Sequence, residues 1–503
     1  MTDSNEAQNP TQAAQREESP ARLKRPLIRL AKACGVSTSY IDQLGAYVEI
    51  RDEVLVAVLA SLGVDASNPA AVSKSLLETE CRQREQLVPP TVLAITGRAN
   101  NVPLRCSADA LVALTLALED GTAYAGDLRA NLRVHKDADF GEQLELTLPD
   151  DLPIGYHTLN VQVGGVQRRA TVIVAPPRIE LPEAVRQRQR WGWMTQMYSV
   201  RSADSWGVGD YGDLKRLVAD AGEKSHADFM LINPIHAGAL RIDHVLGLFR
   251  LWWIPRGCTA RDGAYVTYNH EVMLSILAIE ASRANGVVIG EDLGTVPEYV
   301  SKVLAEHGVL GTAVEWFSRV DNSPNAGDPY APPEDYRKYA LASVTTHDLP
   351  PTAGYLKLEH VDLREELDLL NEPAEQFRAE VQAEIDQMLA LLVSRGYLPQ
   401  EVADGLKAAC APDADDAETA DREALIQRVV EAMHVMLRDS PSVLVQAALV
   451  DGVGEHRTQN QPGTSWEYPN WRIPLADETG RVVHTEEVFD LPRVQSLAAA
   501  LNR

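Results

Sequence analysis

The stretch DFMLINPIHAGALRIDHVLG, residues 228 to 247, decides the fold. It holds two strand-like apolar runs, Asp228–His236 and Ala239–Val245, with only Ala237 and Gly238 between them. Two residues cannot join parallel neighbours, because the chain must travel back along the sheet, which takes about a dozen residues and usually a helix. The stretch is therefore either a hairpin or a place where chain is missing.

Its surroundings choose between these. Beyond residue 190 short apolar runs begin at residues 191, 228, 239, 287, 312, 341 and 442, and helical patterns such as GDLKRLVADAGEKS, EVMLSILAIEASRANG and PEYVSKVLAEHG separate most of them. Alternating β and α predicts a parallel sheet with helices on its faces. Polar motifs fall at the ends of the runs: RIDH, GEDLG and TTHD. Functional residues at C-terminal strand ends favour a TIM-type (β/α)₈ barrel over an open sheet. A hairpin at 228–247 would send Asp243 to the opposite rim from Glu291 and Asp348. The expectation is thus an α/β barrel lacking about one strand, with an internal gap between Ala237 and Gly238.

The first part of the chain reads differently. Residues 1–26 are polar and aperiodic, which predicts a disordered tail. Residues 27–88 carry LIRLAKACGV and EVLVAVLASLGV, apolar at helical spacing and ending at glycine, so a helical N-terminal unit is expected. Residues 89–178 are short alternating runs punctuated by Gly, Pro and Asp, the pattern of an antiparallel β-sandwich of immunoglobulin type, read as a spacer or a glucan-binding module. The segment APPRIELPEAVRQRQR, 175–190, marks a boundary, and residues 190–503 form the barrel domain.

Composition narrows the function. The 503 residues carry a net charge of −25 and a pI near 4.9, which argues against nucleic acid or an anionic membrane as partner. No apolar run reaches the roughly 18 to 20 residues of a membrane span, and the N-terminus lacks the apolar stretch of a signal peptide. The five cysteines are scattered, without a CxxC pair, so neither a disulfide framework nor a metal site is expected and the cytoplasm is the predicted setting. No Gly-rich phosphate loop is present, which disfavours a nucleotide-sugar donor and leaves no cofactor predicted. The acidic run 411–425 reads as a solvated loop before a helix.

Three acids remain. Asp243 lies two residues after Arg241, on the same face of a strand, where the guanidinium should keep it ionised as a nucleophile requires. Glu291 follows the apolar VVIG, and desolvation or its neighbour Asp292 should raise its pKa, which suits a general acid. Asp348 follows His347 at a third strand end. With Trp206, Trp252, Trp253 and Trp316 to meet the apolar faces of sugar rings, the set resembles a glycosidase site. Acids at strand ends also cap helices or bind metals, and that reading stays open.

The motifs GALRIDHVLGLFRLWWIPRG, VVIGEDLGTVP, TTHD, NQPGTSWEYPNWRIPL and WGWMTQMYSVRSADSWGVGDYGDL together resemble the 4-α-glucanotransferases, also called amylomaltases or disproportionating enzymes, of glycoside hydrolase family 77. The N-terminal helices and sandwich resemble the extension of longer bacterial members. The resemblance implies a retaining transfer of α-1,4-glucan segments between maltooligosaccharides, without cofactor or metal. It implies Asp243 as nucleophile, Glu291 as acid/base and Asp348 as stabiliser of the distorted sugar, with Arg241, His244 and His347 contacting the donor sugar or the acids. Asn460, Trp466 and Trp471 line the site or serve packing, and His236 stands at a strand end that would face substrate. The sequence departs from the family where a third strand with its own acidic motif, an SPY-type motif and an arching loop are expected after LINPIHA. The departure implies an internally deleted chain with impaired activity. Two alternatives follow: a non-catalytic glucan-binding or inactive remnant, and a glucan hydrolase of α-amylase type.

Overall fold

The computed structural model describes residues 20–42, 45–137, 141–205, 207–233, 239–294, 296–323, 327–410 and 419–502. The chain divides into two compact units: residues 1–180, 244–284 and 294–308 form the first, and residues 181–243, 285–293 and 309–503 the second. No helix among the described residues is long and apolar enough to cross a membrane. All five cysteines are unpaired.

In the first unit, helices Pro26–Ala33, Asp52–Ser61 and Pro69–Arg84 follow a helical turn at Pro20–Leu23. Ordered chain therefore begins before residue 26, earlier than its polar composition indicates, while residues 1–19 lie outside the described residues. The first two helices end at Gly35 and Gly63, with φ of +75° and +77°, a conformation only glycine adopts without strain. Asn68 caps the third, accepting from the amides of Ala70 and Ala71. Their apolar sides, Ile28, Leu30, Leu55, Val58 and Leu59 among them, pack with Ala264 and Val266. Those two residues belong to an antiparallel pair, Arg250–Trp253 with Ala264–Thr267, that the sequence pattern does not announce.

The sandwich has a four-stranded sheet in the order Thr91–Ile95, Val166–Ala175, Gly155–Val163, Val112–Ala117, and a three-stranded sheet in the order Asn101–Ser107, Gly141–Thr147, Leu132–Asp137. One feature corrects the sequence reading. Thr91–Ile95 runs parallel to Val166–Ala175, so the sandwich is mixed and not wholly antiparallel. Its first and last strands lie side by side and point the same way, so chain enters at one end of the sheet and leaves at the other.

Among the described residues, the second unit contains seven parallel strands: β1 (Arg190–Gln196), β2 (Phe229–Asn233), β3 (Ala239–Ile242), β4 (Val287–Gly290), β5 (Gly311–Val314), β6 (Ala340–Ser343) and β7 (Leu444–Ala448). Five of them form a sheet in the order β2-β1-β7-β6-β5, and β3 pairs with β4. A parallel bridge between Ile289 and Leu310, with the Gly290 amide donating to the Leu310 carbonyl at 2.8 Å, continues the ladder from β4 to the start of β5. The order is thus β2-β1-β7-β6-β5-β4-β3. Because β3 runs with the rest, residues 228–247 are not a hairpin. The consecutive strands β2 and β3 are instead the two ends of the array, and the residues between them, 234–238, lie outside the described residues.

The composition of the strands explains their depth. Every residue of β4, β6 and β7 is buried, as expected where both faces of a parallel sheet are covered. Gly192 in β1 lies opposite Phe229, where a Cβ would sit 2.3 Å from the Phe229 carbonyl oxygen, so only glycine lets β1 and β2 approach. Helix α1 (Tyr211–Ser225) starts at a reciprocal cap in which Asp210 accepts from the amides of Gly212 and Asp213 and Asp213 accepts from the amide of Asp210. Helices α2 (Ala374–Ser394), α3 (Thr419–Arg438) and α4 (Pro492–Leu501) contribute Met388, Met433, Met436 and Leu497 to the same core as Trp193 of β1. Part of the acidic run, 411–418, lies outside the described residues, and α3 begins directly after it.

Candidate active site

Asp243 follows the last residue of β3, and Glu291 follows the last residue of β4. The ladder pairs Ile242 with Gly290, and the Glu291 amide donates to the Ile242 carbonyl at 2.9 Å. The two acids therefore leave neighbouring strands at one level, and a carboxylate oxygen of Asp243 lies within 4.8 Å of one of Glu291. Register alone brings them together.

Each is held by its own strand end. Arg241, on the same face of β3, donates through Nη1 to Oδ1 of Asp243 at 2.8 Å. Glu291 is buried, and its Oε1 accepts from the Leu293 amide at 2.7 Å. Asp292 is turned elsewhere: its carboxylate receives both terminal nitrogens of Arg337, at 2.6 and 3.0 Å, and the Thr312 amide at 3.0 Å. It is therefore a structural acid engaged by β5, and not the neighbour expected to perturb Glu291.

Asp348, beyond the end of β6, is held from two sides. Asn460 donates through Nδ2 to its Oδ1 at 2.7 Å, and Nε2 of His347 lies 3.1 Å from its Oδ2. The Tyr198 phenol stands nearby; burial first and the Asp348 charge second push its pKa up, so it stays protonated. A small pocket, open to solvent, is lined by Met194, Leu231, Arg241, Thr346, His347 and Gln446 among others. Two of its lining residues touch an acid each, Arg241 the Asp243 carboxylate and His347 that of Asp348.

The other residues singled out by sequence are placed as follows. His244 takes a left-handed conformation, φ 48°, and opens a segment of the other compact unit. Trp316 is buried and stacks on Tyr355 at 4.1 Å, so it packs the core and offers no platform to a sugar. Trp252 and Trp253 belong to the other unit, where they donate to the Ala260 carbonyl and the Tyr268 hydroxyl. Trp206 and His236 lie outside the described residues. Sequence reasoning passed over Tyr198 and Thr346, although both sit at strand ends, the signal by which the three acids were found.

The chain resembles known proteins over most of its length. Residues 236–479 match the Glyco_hydro_77 family model, described as 4-alpha-glucanotransferase, and residues 87–176 match the MalQ N-terminal beta sandwich domain. The 4-alpha-glucanotransferase of Mycobacterium bovis is 27% identical over an alignment of 728 positions that covers 94% of this chain and 98% of its own. That of Haemophilus influenzae is 34% identical over 262 positions, 52% of this chain and 34% of its own. The crystal structure of amylomaltase from Corynebacterium glutamicum superposes with a TM-score of 0.83 at 25% identity, covering 95% of this chain and 99% of that one. Parallel strands with paired carboxylates at their ends, preceded by such a sandwich, are the framework of a glycan-processing enzyme. The chain is similar to the 4-α-glucanotransferases of glycoside hydrolase family 77 over most of its length.

Proposed function

We propose that the chain transfers α-1,4-glucan segments between maltooligosaccharides with retention, through a covalent glucosyl intermediate on Asp243. One observation carries this reading: oxygens of Asp243 and Glu291 lie within 4.8 Å of each other. Retaining enzymes hold their carboxyl groups roughly 5–5.5 Å apart, whereas inverting ones need about 6.5–9.5 Å to admit a water. Arg241 orients Asp243 toward the anomeric carbon. Glu291 gives its proton to the departing glycosidic oxygen as the C–O bond breaks and Asp243 bonds to carbon. The acceptor's 4-hydroxyl then returns a proton to Glu291 while its oxygen displaces Asp243. Asp348, fixed by Asn460 and His347, binds the hydroxyls of the distorted sugar. His244 contributes to the donor side. No cofactor or metal takes part, and a cytoplasmic setting belongs to the same proposal.

We also infer that the strand array is a (β/α)₈ barrel one strand short. Support comes from the seven parallel strands, from the position of β2 and β3 at the two ends of the array although they follow one another in the chain, and from the alignment itself. The mycobacterial alignment has 728 positions against 503 residues here, so at least 225 of its positions face no residue of this chain. Unpaired strand edges weaken a barrel, and turnover is expected to be lower than in relatives.

Incubation with maltotriose tests the assignment. Glucose together with a ladder of longer maltooligosaccharides is expected, and Asp243→Asn or Glu291→Gln should lower the rate by about a thousandfold or more. Hydrolysis products alone would indicate an amylase-type hydrolase. Unchanged maltotriose, from folded protein, would indicate an inactive remnant.

A further inference from the structure

The loop after β7 carries more than the Asp348 contact requires. Between Gln459 and Arg472 it folds on itself: the Trp471 amide donates to the Gln459 carbonyl, the Gln461 amide to Oδ1 of Asn470, and Nδ2 of Asn470 to Oγ1 of Thr464. Glu467 accepts from the amides of Ser465 and Trp466, fixing the tip. From this ordered loop two tryptophans face solvent, Trp466 at 82% and Trp471 at 58% exposure. Tryptophan is buried on average, and such exposure on a rigid loop calls for an explanation.

A second, independent observation concerns the backbone. Trp471 has φ of +60°, which is costly for a bulky side chain and is kept where surrounding structure imposes it, characteristically at ligand sites. The Arg472 guanidinium lies 5.0 Å from the centre of the Trp466 ring, orienting it. At the root of the same loop, Asn460 donates to Asp348. Trp466 lies six positions after Asn460, a reach of at most about 20 Å, the length of a few sugar units.

We propose that Trp466, with Trp471 beside it, is a stacking platform for the part of the α-glucan that extends beyond the reacting sugar, and that it makes the enzyme favour long glucans over short ones. The C–H face of a glucose ring is apolar and carries partial positive charge, which suits the negative face of an indole. Arg472 adds hydroxyl-directed donors at its edge. The inference rests on the glucanotransferase reading given above.

The test is calorimetric titration of maltoheptaose and of maltose into the Asp243→Asn chain, which binds without turnover, and into the same chain carrying Trp466→Ala or Trp466→Phe. Circular dichroism checks that each is folded. Trp466→Ala should weaken maltoheptaose binding about 5-fold while changing maltose much less, and Trp466→Phe should recover most of the loss. Equal maltoheptaose affinity in the Trp466→Ala chain, with binding by the Asp243→Asn chain intact, overturns this inference alone. No binding by the folded Asp243→Asn chain overturns the glucanotransferase reading together with it.

Discussion

Asp348 shows how far the setting of an acid is supplied by its neighbours. It is half exposed, and its geometry depends on Asn460 and His347. Removing the Asn460 amide should cost a charge-assisted hydrogen bond of about 1.5–3 kcal/mol, so Asn460→Ala is expected to lower kcat about tenfold or more with little change in melting temperature. Steady-state kinetics and a thermal melt on the same sample check both halves. Glu315 is the converse case, an acid buried beyond the end of β5 with neither oxygen hydrogen-bonded among the described residues. Burial first, and Asp451 second, push its pKa well above the usual carboxylate value. A carboxyl whose folded pKa is raised stabilises the fold below its unfolded pKa and loses that contribution as pH rises toward the folded value. Glu315→Gln cannot ionise, so it should melt higher than the parent at neutral and alkaline pH, and the difference should vanish near pH 4. A melt series across pH that shows no such convergence would sink this account. Asp243, Glu291 and Asp348 stand out in the sequence because each follows an apolar run, and each lies beyond the end of a strand. The sequence did not reveal that Asp292 is occupied by Arg337, since that contact joins residues 45 apart in the chain.

At the level of elements, periodicity and run length were enough to find all seven strands of the second unit and the helices between them. Direction was legible too, but only by argument: no hairpin could place Asp243 on the rim of Glu291 and Asp348, and β3 does run parallel to β4. The antiparallel pair Arg250–Trp253 and Ala264–Thr267 escaped because IPRGCTARDG interrupts it with polar and turn-forming residues. The parallel pairing inside the sandwich escaped because alternation along a strand says nothing about its neighbour's direction. One glycine ties sequence to pairing. Gly192→Ala would put a methyl group 2.3 Å from a backbone oxygen of β2, which no side-chain rotation relieves. The variant should be less stable by about 2 kcal/mol or more, read from urea midpoints, with β2 amides losing protection first.

The whole molecule departs furthest from its relatives. Strands β2 and β3 each pair on one side only among the described residues, so their amides should exchange with solvent at a free energy well below that of global unfolding, whereas β7, flanked by β1 and β6, should exchange last. Hydrogen exchange with peptide resolution measures this, and uniform protection across all seven strands would argue for a closed sheet. The seven apolar runs counted in the sequence of the second unit correspond to its seven parallel strands among the described residues. How the chain is partitioned was not legible. It crosses between the two compact units five times, after residues 180, 243, 284, 293 and 308. Each unit is therefore sewn from three separated lengths of chain, and two of the five stitches fall immediately after Asp243 and within two residues of Glu291. On the ribosome the first unit cannot be completed until residue 308 has been made, by which time four strands of the second are already waiting. No single nick or truncation releases either unit whole, and moving one of them into another protein would mean carrying three segments and preserving the order in which they are made.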